Sequence, residues 1–198
     1  MTSVIYKNPL IYKTIMKLLH GKGYRRRYVL ISKEVEDLKV LDLCCGDCEL
    51  EKYVKNYRGA DFNSVFVKSA RKRGIEAIRL DVMNDEIPSA ECIVMQASLY
   101  HFIPEHKKVL KKVLEKAPKV IISESHVNLA QSNFKPLAWL AKMLTKTSKE
   151  NSHRFDKEQL FKLYKEFGAR KIIVAKREII GVFENGGKQW EFLLTKLI

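Results

Sequence analysis

Long apolar runs, repeats, a second C-x-x-C pair and the dinucleotide glycine signature are all missing from this sequence, and each absence removes a class of protein. No apolar stretch approaches the roughly 20 residues that a membrane-spanning helix needs. The first segment, "MTSVIYKNPLIYKTIMKLLH", mixes lysines among its hydrophobes, unlike a secretory leader. Stable membrane insertion is therefore not expected, and cytoplasmic residence with reduced cysteines is the simplest expectation. No repeat, low-complexity tract or linker interrupts the 198 residues, so residues 1–198 are expected to form one domain. Its apolar fraction of 46% suits a globular core.

Cysteine is scarce, with 4 in the chain. Three of them crowd into "KVLDLCCGDCELEKYV" (residues 39–54), where Cys45-Gly46-Asp47-Cys48 reads as C-x-x-C. A structural zinc site needs four ligands. The remaining cysteine, Cys92, lies in an apolar strand, and His20, His101, His106, His126 and His153 lack zinc-finger spacing. No metal is expected. Thioredoxin-like pairs also occupy a strand-to-helix turn, but they lack the aspartate before this pair and the glycine inside it, so redox chemistry is the minor reading. Packing is the plain role for Cys44 and Cys48; a sharper one has Cys48 activated by a helix N-terminus.

Acidic residues are outnumbered. Lys plus Arg is 37 against 23 Asp plus Glu, a net of +14. Such a chain attracts polyanions, acidic surfaces or anionic small molecules. Basic clusters occur at Lys22 with Arg25-Arg26-Arg27, at Arg71-Lys72-Arg73, and at Lys107-Lys108 with Lys111-Lys112. The last recurs at helical spacing and reads as a solvated face. Charge alone leaves RNA binding open.

Strands and helices alternate from residue 39 to 125, which implies a mainly parallel sheet covered by helices on both faces. Strands are expected in "KVLDLCC", "GADF" (59–62), "EAIRLDV" (76–82), "ECIVMQAS" (91–98) and "KVIISES" (119–125). Helices are expected in "DCELEKYVKNY", in "SVFVKSARKRG" with Gly74 as its stop, in the segment opened by Pro104, and in "DKEQLFKLYKEFG" (156–168). Residues 1–37 read as a helical cap broken near Gly21–Gly23, and residues 126–153 as a lid-like insertion in which Trp139 lines a pocket or packs. "RKIIVAKRE" and "KQWEFLLTKLI" read as two closing strands joined through the hairpin signal Asn185-Gly186, the last strand antiparallel.

The glycine loop after the first strand carries the chemistry. Gly46 lets a ligand approach the backbone. G-x-G-x-x-G is absent, and Asp42, Asp47, Glu49 and Glu51 crowd the turn. A pyrophosphate would be repelled there, whereas a cationic sulfonium with an α-amino group would be welcome. Asp42-Leu43-Cys44-Cys45-Gly46-Asp47-Cys48 resembles the first motif of the class I S-adenosylmethionine-dependent methyltransferases, D-x-G-x-G-x-G, with cysteines at two of its glycine positions. The likeness spans roughly residues 38–125. It implies a Rossmann-like seven-stranded sheet of order 3-2-1-4-5-7-6 and S-adenosylmethionine as the cofactor. It implies that Asp42, Cys44 and Gly46 border the cofactor. It implies also that Asp61, 19 residues after Asp42, takes the ribose hydroxyls. Phe62 would pack on adenine, Asp81-Val82 would meet its amino group, and Gln96-Ala97 would lie beside the methionine part.

The acceptor side has its own absence. The Asn/Asp-Pro-Pro-Tyr/Phe motif of enzymes that methylate nucleic-acid amino groups is replaced by Gln96-Ala97-Ser98-Leu99-Tyr100. "SLYHF" is more similar to small-molecule methyltransferases, which implies Tyr100 and His101 as the catalytic candidates, with Glu124 to His126 and His153 as further candidates nearby. The expected function is methyl transfer to a small-molecule acceptor. An RNA methyltransferase and a non-catalytic cofactor- or partner-binding domain are the alternatives. The oligomeric state is not legible.

Overall fold

The computed structural model describes Thr14 and residues 23–126, 154–184 and 191–193. Most of the expected first helix, most of the lid-like insertion with Trp139 and His153, and the Asn185-Gly186 turn lie outside the described residues.

Helix α1 (Gly23–Val35) leads into strand β1 (Val40–Leu43). After a five-residue 3-10 turn at Glu49–Tyr53 come β2 (Tyr57–Asp61), α2 (Ser64–Lys72) and β3 (Ala77–Arg79). Strand β4 (Cys92–Gln96), a 3-10 turn at Leu99–Phe102, α3 (His106–Leu114) and β5 (Lys119–Ser125) follow. The described chain closes with α4 (Lys157–Glu166), β6 (Lys171–Val174), β7 (Glu178–Glu184) and β8 (Glu191–Leu193).

The strands form one sheet of order β3-β2-β1-β4-β5-β7-β6-β8. Pairing is parallel from β3 to β5, while β7 runs antiparallel to both β5 and β6. The expected seven-strand order is therefore present, with β8 added in parallel on the outer side of β6.

The sequence reading misassigned the closing hairpin. The chain reverses at Ala175–Arg177, where Ala175 N–H donates to the Glu178 carbonyl at 2.8 Å. The seventh strand is Glu178–Glu184 and not residues 188–198, and β8 pairs with β6, so Asn185-Gly186 joins no neighbouring strands. Burial explains the outcome. Residues 178–183 are all buried and β7 pairs with the whole of β5, a central position that the run from Ile179 to Phe183 fills better than the charge-interrupted segment after the Asn-Gly signal.

Alternation along the strands splits the core in two. Leu41, Leu43, Ile93, Met95, Val120 and Ile122 face α3 and α4. Val40, Cys92, Val94 and Ile121 face α1, with Tyr28, Ile31 and Val35, and Leu50 of the 3-10 turn. Local signals set the helix ends. Asn63 caps α2 by accepting from Val65 N–H, and Asp156 and Gln159 form a reciprocal capping box on α4. Helix α3 starts at His106, two residues after the expected Pro104.

Candidate active site

The turn after β1 follows a glycine-loop path with one glycine in place of three. Cys44, Gly46 and Cys48 have φ of 56°, 53° and 57°, so the left-handed region recurs at the three positions that the motif fills with glycine. For a cysteine this conformation costs on the order of 1–2 kcal/mol. Neighbours hold it in place: Cys45 N–H donates to the Ala60 carbonyl at 3.1 Å, Gly46 N–H to Asp61 Oδ2 at 2.8 Å, and the Arg73 guanidinium to the Asp47 carbonyl at 2.7 Å.

The helix expected from Asp47 is not formed. Cys48 in the left-handed region cannot enter an α-helix, and the chain makes only the 3-10 turn before rejoining the sheet at Tyr57. The activating helix N-terminus imagined for Cys48 is therefore missing. The acidic crowd is also tempered, because Glu49 is buried and paired with Lys52.

Asp42 is 2% exposed at the open end of β1. It accepts from the Tyr57 hydroxyl at 2.8 Å and from Gln96 Nε2 at 3.4 Å. Burial pushes its carboxyl up to about 7 despite those donors and the Arg27 charge. Tyr57 is a residue that sequence reasoning missed. It reaches Asp42 diagonally across Gly59, which pairs with Asp42, and a Cβ at Gly59 would stand 3.3 Å from the Tyr57 hydroxyl. A glycine inside a strand was the available signal for such close approach.

Asp61 ends β2, half-buried, and its two oxygens accept from Gly46 N–H and Asn63 N–H, each at 2.8 Å. Burial raises its pKa against those two donors. Phe62 beside it is 61% exposed, with the Arg79 guanidinium over its ring. Asp81 is tied into a turn by Met83 N–H and the Asn84 amide, which lower its pKa with the Asn84 bond foremost. The Val82 side chain belongs to the core, so only its backbone is available to a ligand. Its carbonyl, with those of Met83 and Asp85, accepts from Lys112 Nζ at 2.9, 3.3 and 2.7 Å. Lys112 is thus a tether for this turn and not a member of a solvated face.

At the end of β4 the chain turns sharply at Ala97, φ 47°. Glu124 of β5, 1% exposed, holds that turn by accepting from Ser98 N–H at 2.8 Å and Leu99 N–H at 2.6 Å through one oxygen. Burial lifts its carboxyl to about 7. The turn presents Tyr100 and His101, whose ring centroids are 3.9 Å apart. The Arg154 guanidinium lies 4.2 Å from the Tyr100 ring and donates to its hydroxyl at 3.2 Å. His101 is an exposed residue, yet the protein around its ring and then the Arg154 charge push its imidazole down to about 4. Arg154 carried no motif and was not foreseen.

The structure thus brings Asp42, Gln96 and the 44–48 turn together at the open ends of β1 and β4, and joins Asp61 to that turn through Gly46. Phe62 and Asp81 lie beyond β2 and β3. Tyr100 and His101 stand on the other flank, past β4. Arg27, also unforeseen, comes from α1 into the same region, buried and paired with Glu178 at 3.5 Å.

Similar architectures occur among solved structures. A possible histamine N-methyltransferase from Thermotoga maritima matches with a TM-score of 0.63 at 13% identity, over 90% of this chain and 97% of that one. Magnesium protoporphyrin IX methyltransferase from Synechocystis PCC 6803, solved with SAH, matches with a TM-score of 0.59 at 12% identity over 86% and 85%. Human N-acetylserotonin methyltransferase, solved with SAM, matches with a TM-score of 0.60 at 16% identity over 89% and 57%. At such identities the likeness establishes the Rossmann-like fold that these enzymes share. No protein-family model and no curated protein matches the chain.

Proposed function

We propose that the open edge of the sheet binds S-adenosylmethionine and that this chain transfers the methyl group to a small-molecule acceptor. The observation that carries this reading is the Asp42–Gln96 pair. Gln96 Oε1 is buried and has no donor among the described residues, and it sits beside a buried carboxyl that also accepts. Such a pair is completed by a cationic donor, as the ammonium group of the methionine part supplies.

The rest of the site suits the same ligand. Asp61 keeps lone pairs beyond its two backbone bonds for the ribose hydroxyls. Phe62 offers an open aromatic face to adenine, with Asp81 and the Val82 backbone at its edge. Cys44, Gly46 and Ala97 border the cofactor with backbone held in left-handed turns. Bound S-adenosylmethionine supplies an electrophilic methyl group whose leaving group is a neutral thioether. The protein then has mainly to align the acceptor and exclude water. Tyr100 and His101 take the acceptor side. With its pKa near 4, His101 is neutral at pH 7 and serves as a hydrogen-bond acceptor or weak base, not as an acid.

A small-molecule acceptor is favoured over RNA by where the charges go. Asp42, Asp61 and Asp81 line the open edge. Several basic residues are spent internally: Arg71 on the Ala77 carbonyl, Arg73 on Asp47, Lys112 on the 82–85 turn, Lys107 on Glu166 and Lys116 on Glu86. The methyltransferases of similar fold that act on N-acetylserotonin and magnesium protoporphyrin IX support the same choice. We take the chain to work as one cytoplasmic domain; no described helix is long and apolar enough to cross a membrane.

Calorimetric titration of the reduced protein with S-adenosylhomocysteine, with NAD as control, tests the reading. Selective micromolar-range binding that is lost in Asp61→Ala is expected. Folded protein that binds neither ligand would overturn it and leave a partner-binding domain.

A further inference from the structure

The cofactor reading leaves one motif unused. Cys45 and Cys48 are both reduced, and their sulfurs lie 3.5 Å apart. Both point to the β2 and α2 side of the loop, where they pack with Val67, Ala70 and Ala77. Gly59 makes the room: a Cβ there would stand 2.9 Å from Cys45 Sγ and 3.1 Å from Cys48 Sγ. The two thiols differ in access. Cys45 is half-buried, whereas Cys48 is 1% exposed. A partly exposed cysteine that takes up an exchange partner, with an enclosed one in contact to displace it, is the arrangement that dithiol oxidation needs.

We propose that Cys45 and Cys48 form a dithiol–disulfide couple, oxidised by a low-molecular-weight disulfide, which closes a ring around Gly46 and clamps the loop. In the first step the Cys45 thiolate attacks one sulfur of the small disulfide, and one small thiolate leaves. In the second, Cys48 loses its proton and attacks Cys45 Sγ, expelling the second small thiolate. Two protein thiols are oxidised, one small disulfide is reduced, and the two protons end on the two released thiols. The hydrogen bond with Cys48, then burial, then the Asp42 and Asp61 charges hold the Cys45 thiol well above its ordinary pKa, so the exchange quickens as pH rises. The ring fixes a turn in which Cys48 sits in a costly left-handed conformation, so the oxidised loop resists opening.

The test needs no cofactor. The full chain is equilibrated in glutathione redox buffers, quenched and unfolded. Its free thiols are then counted and its peptides mapped. Two of the four thiols should vanish together as a Cys45–Cys48 link, with no glutathione retained. The thermal midpoint should rise by about 5 °C, as a small ring predicts. Cys48→Ala should trap glutathione on Cys45, and Cys45→Ala should take up none at Cys48. Four persisting free thiols, a stable glutathione adduct on the unaltered chain, a link through Cys44 or Cys92, or an unchanged midpoint on oxidation would each overturn the proposal.

Discussion

Asp42 and Glu124 end neighbouring regions of the same sheet edge, and burial lifts both carboxyls to about 7. They are held by opposite kinds of partner. Asp42 accepts from two side chains, Tyr57 and Gln96, which can turn toward a ligand. Glu124 accepts from two backbone N–H groups, Ser98 and Leu99, which have nowhere else to go. A shared upward shift thus conceals unequal roles. A carboxylate gripped by side chains is ready for exchange with a ligand, whereas one gripped by backbone is part of the scaffold. On this reading Asp42 binds, and Glu124 shapes the turn that presents Tyr100 and His101.

The largest effect should come from breaking the scaffold. Glu124→Ala leaves two buried N–H groups without an acceptor and should cost about 2–4 kcal/mol in urea unfolding. Glu124→Gln retains an acceptor oxygen and should cost less than half of that. Equal losses in the two variants would remove the distinction from Asp42. Next comes Asp42→Asn, expected to weaken S-adenosylmethionine binding about 10- to 100-fold by calorimetry, with little loss of fold.

The pH dependence should separate binding from stability. In the unaltered chain, affinity for the cationic cofactor should rise as pH passes through 7 and Asp42 ionises; in Asp42→Asn this rise should disappear. Stability moves the other way. A carboxyl whose folded pKa lies above its unfolded value stabilises fully below the unfolded pKa, and that contribution fades as pH rises through the folded pKa. The cofactor-free protein should therefore lose stability between about pH 4 and 7, and Asp42→Asn should lose less, as measured by urea midpoints across that window. A third case lies between the two carboxyls. Asp81 sits on a turn whose carbonyls are tied by Lys112, so Lys112→Met should weaken cofactor binding only about fivefold, roughly 1 kcal/mol. A loss as large as that of Asp42→Asn would make the tether a binding group.

The sequence was most legible where neighbours in space were also neighbours in pattern. Alternating apolar strands from 39 to 125 placed Asp42, Asp61 and Gln96 at strand ends, and the structure puts them on one edge. The two cysteines at glycine positions even keep the glycine conformation, φ 56° and 57°. What stayed hidden depended on contacts between distant segments. Tyr57 reaches Asp42 only because Gly59 pairs with it across β1 and β2. Arg27 lies 151 residues from its partner Glu178. Arg154 had no pattern around it at all. The closing hairpin was misread because a local turn signal, Asn185-Gly186, was weighed above the burial of residues 178–183, and burial wins in the middle of a sheet.

The bond from Gly46 N–H to Asp61 Oδ2 ties the turn after β1 to the carboxylate that ends β2. A ligand that loads Asp61 also fixes the Gly46 amide, and one that settles against Gly46 orients Asp61. The two halves of a bridging ligand therefore reinforce each other: adenosine and homocysteine offered together as separate fragments should each bind more tightly than either does alone.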